Sequence, residues 1–161
     1  VIFQDHSTYP LVHIDTTAFY FKKLKALLPA KTKVYLYSTW MYPKINGKEN
    51  YPNSTNPIEE NLKTEVASVE DQLLRVGTAF ELFAARYPDV ELFTDDKKHP
   101  SPQGSYLAAC VIFSSLSGKS SKGVQRRYSS TDNNGKKIFY SMVEEETAQK
   151  CQEVADQILF N

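Results

Sequence analysis

"TDDKKHPSPQGSYLAACVIFSSLSG", residues 94–118, decides the fold. It opens with a polar loop holding two adjacent acids, two lysines and a histidine, and it continues without a break into an apolar helix. Ser101 is placed to cap that helix, Pro102 takes the favoured first-turn position, and Gly118 ends it after Leu107, Cys110, Val111 and Phe113 have given it a broad apolar surface. Just before the loop, "DVELF" (89–93) reads as a β-strand. Strand, polar loop and helix in that order make one half of a β-α unit, with Asp96 and His99 where the strand ends.

Working backward from there, the alternation repeats. Thr78 and Glu81 form a capping-box pattern ahead of "AFELFAARY", a short helix closed by Pro88, and "DQLLRVG" (71–77) precedes it as a strand. A helix is expected from about Ile58 to Val69. "KVYLYST" (33–39) is a further strand, with Val34 and Leu36 on one face and Tyr35 and Tyr37 on the other. Upstream, Asp15 is positioned to cap a helix whose apolar positions Tyr20, Leu24, Leu27 and Leu28 lie at helical spacing, and Pro29 stops it. Val1–Phe3 reads as a strand of the core that delivers the loop Gln4-Asp5-His6-Ser7. A natural terminus rarely starts inside a core strand, so an upstream part is expected to be missing. Working forward, Lys119–Lys137 is a basic, Ser- and Asn-rich stretch. Cys151, Val154, Ala155, Ile158 and Leu159 then form the stripe of a last helix, with Glu144–Glu146 near its N-terminal end.

Strands that alternate with helices argue for a mainly parallel sheet covered on both faces, a three-layer α/β/α arrangement. The 161 residues fit one domain, 1–161. Ligands in such folds sit at the carboxyl ends of strands. That places Gln4–Ser7, Thr39–Tyr42, Gly77 and Asp95–His99 on one rim. Residues 43–57, with three prolines and four asparagines, are too long and polar for a plain connection. They are expected to fold over the rim, where Trp40, Tyr42 and Tyr51 offer aromatic faces for a sugar, or pack as ordinary amphipathic rings.

Composition narrows the partners. Nineteen basic residues balance nineteen acidic ones, so no net charge draws the chain to nucleic acid or to an anionic membrane. No apolar run is long enough to span a bilayer. The basic run Lys119, Lys122, Arg126, Arg127, Lys136 and Lys137 reads as a solvated face. Cys110 and Cys151 lie on apolar helix faces and read as buried thiols, with a bridge between them as the alternative. Asn53-Ser54-Thr55 fits a glycosylation acceptor. Asp95, Asp96 and His99 lack a second cluster such as H-x-x-x-H, and His6 and His13 have no partner spacing, so no metal and no cofactor are expected.

An imidazole acts as a general base only when its tautomer is held, and a carboxylate on one ring nitrogen does this. Asp96 and His99 can meet that need within one turn of chain. "DDKKHPSPQGSYLAACVIFSSLSG" resembles the last block of the SGNH, or GDSL-like, hydrolases, in which Asp-x-x-His-Pro-Ser supplies the acid and base of a Ser-His-Asp triad. "VIFQDHS" resembles the block that presents an oxyanion-hole side chain, its Gln being similar to that of the "QGES" block of carbohydrate acetylesterases. "YLYSTW" and "LLRVGTAFELF" resemble the intervening segments of bacterial members.

The resemblance implies a flavodoxin-like sheet, His99 as general base, Asp96 as its orienter, with Asp95 as the alternative in a shifted register, and Gln4 as oxyanion donor. A donor of that kind is worth roughly 3–4 kcal/mol. It further implies an O-acyl esterase acting on a carbohydrate or small ester, in a periplasmic or secreted setting. The family's Gly-Asp-Ser nucleophile block has no counterpart among these residues. Ser7 lies in the oxyanion block and Ser101 is a helix cap. The serine is therefore expected from an upstream segment or from a second polypeptide; the rival expectation is a non-catalytic carbohydrate-binding or scaffold relative.

Overall fold

The computed structural model describes residues 1–45, 48–49, 56–66 and 73–160. It is a mixed α/β protein with a small parallel three-stranded sheet and two antiparallel two-stranded ones. The chain divides into two compact units, Val1–Glu81 and Leu82–Asn161.

In the first unit, β1 (Ile2–Phe3) is followed by the short α1 (Tyr9–Val12), α2 (Ile14–Ala26) and β2 (Tyr35–Tyr37). Next come a hairpin of β3 (Lys44–Ile45) with β4 (Lys48–Glu49), then α3 (Pro57–Glu65), β5 (Leu73–Leu74) and the start of α4 (Val76–Arg86). The parallel sheet has the order β1-β2-β5. Ile2 is level with Tyr35, and Leu36 pairs with Phe3 on one side and Leu73 on the other. The alternation read in β2 holds, because Val34 and Leu36 are buried while Tyr35 and Tyr37 are half-buried. Around Leu36 gather Ala18 and Phe21 of α2, Ile58 and Leu62 of α3, Met41, Val66 and Leu73. Phe3 meets Phe21 edge to face, ring centres 5.7 Å apart.

Five expectations for this unit are corrected. The apolar stripe expected to bury α2 faces mostly outward: Tyr20, Leu24 and Leu27 are exposed and Leu28, just past the helix, packs against the core, whereas Thr17, Ala18 and Phe21 are buried. The helix carries two apolar faces, and the sheet takes the one on which a small Ala18 lets Phe21 reach Phe3. Asp15 stands inside the first turn of α2 rather than at its cap, which is His13. The expected strand 71–77 is limited to Leu73–Leu74 among the described residues, because α4 already begins at Val76. Thr78 is therefore no helix cap; its hydroxyl donates to the carboxylate of buried Glu59, which also takes Arg75 Nε at 2.7 Å. Lastly, Val1 and Ile2 are exposed: among the described residues β1 ends the sheet, so the strand expected within the core has a partner on one side only.

Gly77 brings α4 against the carboxyl end of β2. Its N–H donates to Ser38 O at 3.0 Å, and Asn56, the N-cap of α3, donates to Thr39 O at 3.0 Å in the same place. A Cβ on Gly77 would lie 2.1 Å from Thr39 O, so only glycine permits this approach.

In the second unit, the end of α4 is followed by a polar loop, α5 (Pro102–Ser117), a hairpin of β6 (Arg127–Thr131) and β7 (Lys137–Met142), and α6 (Glu145–Phe160). Leu107, Cys110 and Val111 of α5 are buried, as are Ala148, Cys151, Val154 and Ala155 of α6. Both cysteines are free. Burial raises the thiol of Cys110 to about 11 and that of Cys151 to about 12. The strand expected at 89–93 is reduced to a single antiparallel bridge, Phe93 to Pro100. The basic stretch 119–137 contains β6 and leads into β7, so its second half forms a two-stranded hairpin. No helix among the described residues is long and apolar enough to cross a membrane.

Candidate active site

The loop between Thr94 and Pro102 is closed by backbone at its base. Thr94 N–H donates to His99 O at 2.9 Å and Ser101 N–H to Leu92 O at 2.8 Å, on either side of the Phe93–Pro100 bridge. Ser101 Oγ donates to Glu91 O at 3.0 Å and accepts from Gly104 N–H at 3.2 Å, so one hydroxyl ties the start of this arm to the start of α5. The α5 boundaries follow from this cap, from Pro102 in the first turn and from Gly118 at φ +66° at the far end.

Inside the closed arm the chain reverses through Lys97, whose φ of +56° is left-handed, a conformation uncommon for a residue with a Cβ. The turn is held by Asp96. Its Oδ1 accepts from Thr94 Oγ1 at 2.8 Å, Lys98 N–H at 2.8 Å and His99 N–H at 2.9 Å, and its Oδ2 faces His99 Nδ1 at 2.5 Å. The His99 ring, those two backbone N–H groups and the Thr94 hydroxyl together hold the Asp96 carboxyl well below the usual carboxylate range. An ionised Asp96 can only accept, so Nδ1 is the donor of this bond. Among the described residues Nε2 has no protein partner, and the His99 side chain is 79% exposed. The carboxylate thus fixes which ring nitrogen donates within the pair. Asp96 rather than Asp95 makes the contact, which settles the register of the loop.

Gln4, Trp40 and Tyr42 belong to the other unit. Gln4 is exposed at the carboxyl end of β1 and lines a groove of about 300 Å³ with Phe3, Asp5, Tyr20, Phe21 and Leu24. Next to it, Asp5 accepts from His6 N–H at 2.6 Å and from the Thr17 hydroxyl at 2.5 Å. Ser7 has a left-handed φ of +37°, and its carbonyl accepts from Thr39 Oγ1 at 2.7 Å. Trp40 is half-buried and lies flat on Phe80, centres 4.6 Å apart at 14°, so one ring face is used in packing. Tyr42 is half-buried. Tyr51 and Asn53-Ser54-Thr55 lie outside the described residues.

Thr94 and the backbone of Lys97 were not singled out from the sequence. The available signal was an acid two residues after a threonine, a pattern that favours side-chain to backbone turns but occurs widely. Among the described residues no three His, Cys, Asp or Glu side chains gather as metal ligands.

No family model matches the chain, and no curated protein matches it. By structure it is similar to a DUF4886 family protein from Bacteroides uniformis, with a TM-score of 0.67 at 17% identity. The match covers 99% of this chain and 61% of that one. At such identity the likeness shows a shared fold; the chain spans 61% of the neighbour's length.

Proposed function

We propose that this chain is the base-bearing part of an SGNH-type ester hydrolase, with the flavodoxin-like three-layer sheet of that superfamily. The observation that carries the reading is the 2.5 Å link between His99 Nδ1 and Asp96 Oδ2 in a loop whose backbone fixes both residues. In this mechanism a serine supplied from outside the 161 residues, by an upstream segment or a second polypeptide, attacks the acyl carbon. His99 Nε2 takes the serine proton, and Asp96 stabilises the imidazolium that forms. The same proton then goes to the departing alkoxide. Water deacylates the enzyme by the reverse transfer. Gln4 donates to the oxyanion through its side-chain amide. Trp40 and Tyr42 flank a carbohydrate or small ester.

Two features support an added serine-bearing strand. Among the described residues β1 has a bonded partner on one side only, and the groove beside it is lined by Phe3, Tyr20 and Leu24, apolar surface of the kind that a further strand covers. A strand added parallel to β1 would deliver its carboxyl end beside Gln4.

The test is turnover of p-nitrophenyl acetate, with fluorophosphonate labelling, by the protein as its gene encodes it. His99→Ala is expected to lower turnover by roughly 10²–10⁴-fold. Circular dichroism should be unchanged, because the side chain is exposed. Retained turnover in that variant removes His99 as the base. A second reading, a binding domain without catalysis, is favoured by the lack of a Gly-Asp-Ser block in these residues. Neither turnover nor labelling in the wild-type protein would establish it.

A further inference from the structure

Within a chain of zero net charge, residues 119–137 hold six cations and one acid, Asp132. The fold gives that segment a shape. The β6–β7 hairpin returns Tyr140 onto Tyr128, ring centres 5.9 Å apart and tilted by 40°, with the Tyr140 hydroxyl 2.8 Å from Ser130 Oγ. Both rings are largely exposed, at 57% and 61%. At the base of the hairpin lies a groove of about 610 Å³ lined by Lys122, Arg126 and Arg127 together with the amides of Gln125, Gln149 and Gln152.

The charges in this groove are unequally engaged. Arg126 donates to Val143 O at 3.0 Å and to Glu145 at 3.4 Å, which accounts for the one acid among the lining residues. Lys122 and Arg127 have no carboxylate within ion-pair distance among the described residues. Gln152 belongs to the floor: its Nε2 donates to the Tyr106 hydroxyl at 2.8 Å and its Oε1 accepts from Gly123 N–H at 3.2 Å, so the groove is built on a satisfied, buried polar base. Asp132 spends its carboxylate on the turn, accepting from Asn134 and Lys136 N–H groups at 2.9 Å.

We infer that this groove and the Tyr128–Tyr140 pair together bind an anionic polysaccharide, a chain of carboxylated sugars. A guanidinium and an ammonium without partners in a concave, amide-lined groove match carboxylates spaced along a chain. The two exposed ring faces on the hairpin supply flat apolar surface for pyranose rings of the same chain. The neutral charge of the whole protein gives no long-range pull toward polyanions in general, so recognition rests on the local fit. A membrane is the poorer occupant, because the hairpin tip, Asp132–Lys136, has no apolar residue to lead into lipid. The site stands independently of the esterase reading, since none of its residues has a part in that mechanism.

The experiment is affinity electrophoresis of the whole protein through gels containing polygalacturonate, with dextran as the neutral control. Retardation by polygalacturonate and not by dextran is expected. Lys122→Ala with Arg127→Ala should weaken it about tenfold or more, and Tyr140→Ala about three- to tenfold, because each removes a contact of ordinary interface size. These side chains are exposed, and circular dichroism confirms that the variants fold. The inference is overturned by migration unaffected by polygalacturonate, by equal retardation in dextran, or by a double variant that behaves as wild type. Displacement by a single-stranded oligonucleotide at matched charge concentration also overturns it and points to nucleic acid.

Discussion

Gly77→Ala offers a demanding check, because two effects of opposite sign compete at that position. Gly77 lies in α4, where alanine is preferred to glycine by about 1 kcal/mol on helix propensity alone. Against this, the added Cβ would lie 2.0 Å from Asn56 Nδ2 and 2.1 Å from Thr39 O, whereas ordinary contacts of carbon begin near ~3.5 Å. A separation of more than about 1 Å must therefore open. The Asn56 amide is not free to swing aside: it is buried, caps α3 by accepting from Glu59 N–H at 3.1 Å, and holds the Thr39 carbonyl. The carbonyl is backbone at the end of β2 and has no rotamer to change. Overpacking of this kind costs about 1–3 kcal/mol, and loss of the Asn56 to Thr39 bond adds about 1–3 kcal/mol for buried groups left unpaired. Less the propensity gain, the net cost is about 1–5 kcal/mol. For a chain of this size that lowers Tm by roughly 2–20 °C. Thermal unfolding followed by circular dichroism measures it. An unchanged or raised Tm would refute the close approach. Asn56→Ala in the same chain removes one obstacle and leaves Thr39 O, so it should not restore stability; full rescue would show that the side chain alone was in the way.

Further outcomes follow from the charged and buried groups. The Asp96 carboxyl is held low, so its bonds contribute stability at pH above the free value of 3.8 and lose it only as pH falls through the lower folded value. The amide protons of Lys98 and His99 should therefore keep their NMR shifts through pH 3.8, and a midpoint there would refute the carboxylate's role in the turn. Cys110 and Cys151 titrate at about 11 and about 12 through burial, so dithionitrobenzoate in mildly alkaline buffer should label neither until the protein is denatured; prompt labelling would contradict the packing of α5 on α6. Glu59→Ala leaves Arg75 and Thr78 without their buried acceptor and should cost about 2–4 kcal/mol in urea unfolding, with a negligible change telling against that network.

Local chemistry made parts of this structure readable from the sequence. Ser101-Pro102 and Gly118 bound α5 because a cap, a fixed φ and a left-handed C-terminus are each encoded in a few adjacent residues. Asp96 and His99 could be paired because the interaction closes within one turn of chain. What escaped depends on contacts distant in sequence. Either stripe of α2 could have been buried, and only the position of Phe3 selects Phe21 over Tyr20 and Leu24. Thr78 reads as a cap until Glu59, nineteen residues earlier, claims its hydroxyl. The β6–β7 hairpin escaped because its strands are exposed on both faces and so lack the buried alternation that marks a strand.

The closure of the arm at Leu92–Ser101 also governs which inherited changes this protein can absorb. Both ends of the arm are bonded to each other and to the first turn of α5, so the segment between them has a fixed count of residues. An exchange at exposed Asp95 alters a side chain and little else. An insertion or deletion beside it would swing Asp96 off His99 and move Ser101 off its cap together. Among descendants of this gene, the spelling of the arm is free to drift at such positions while its length stays constant.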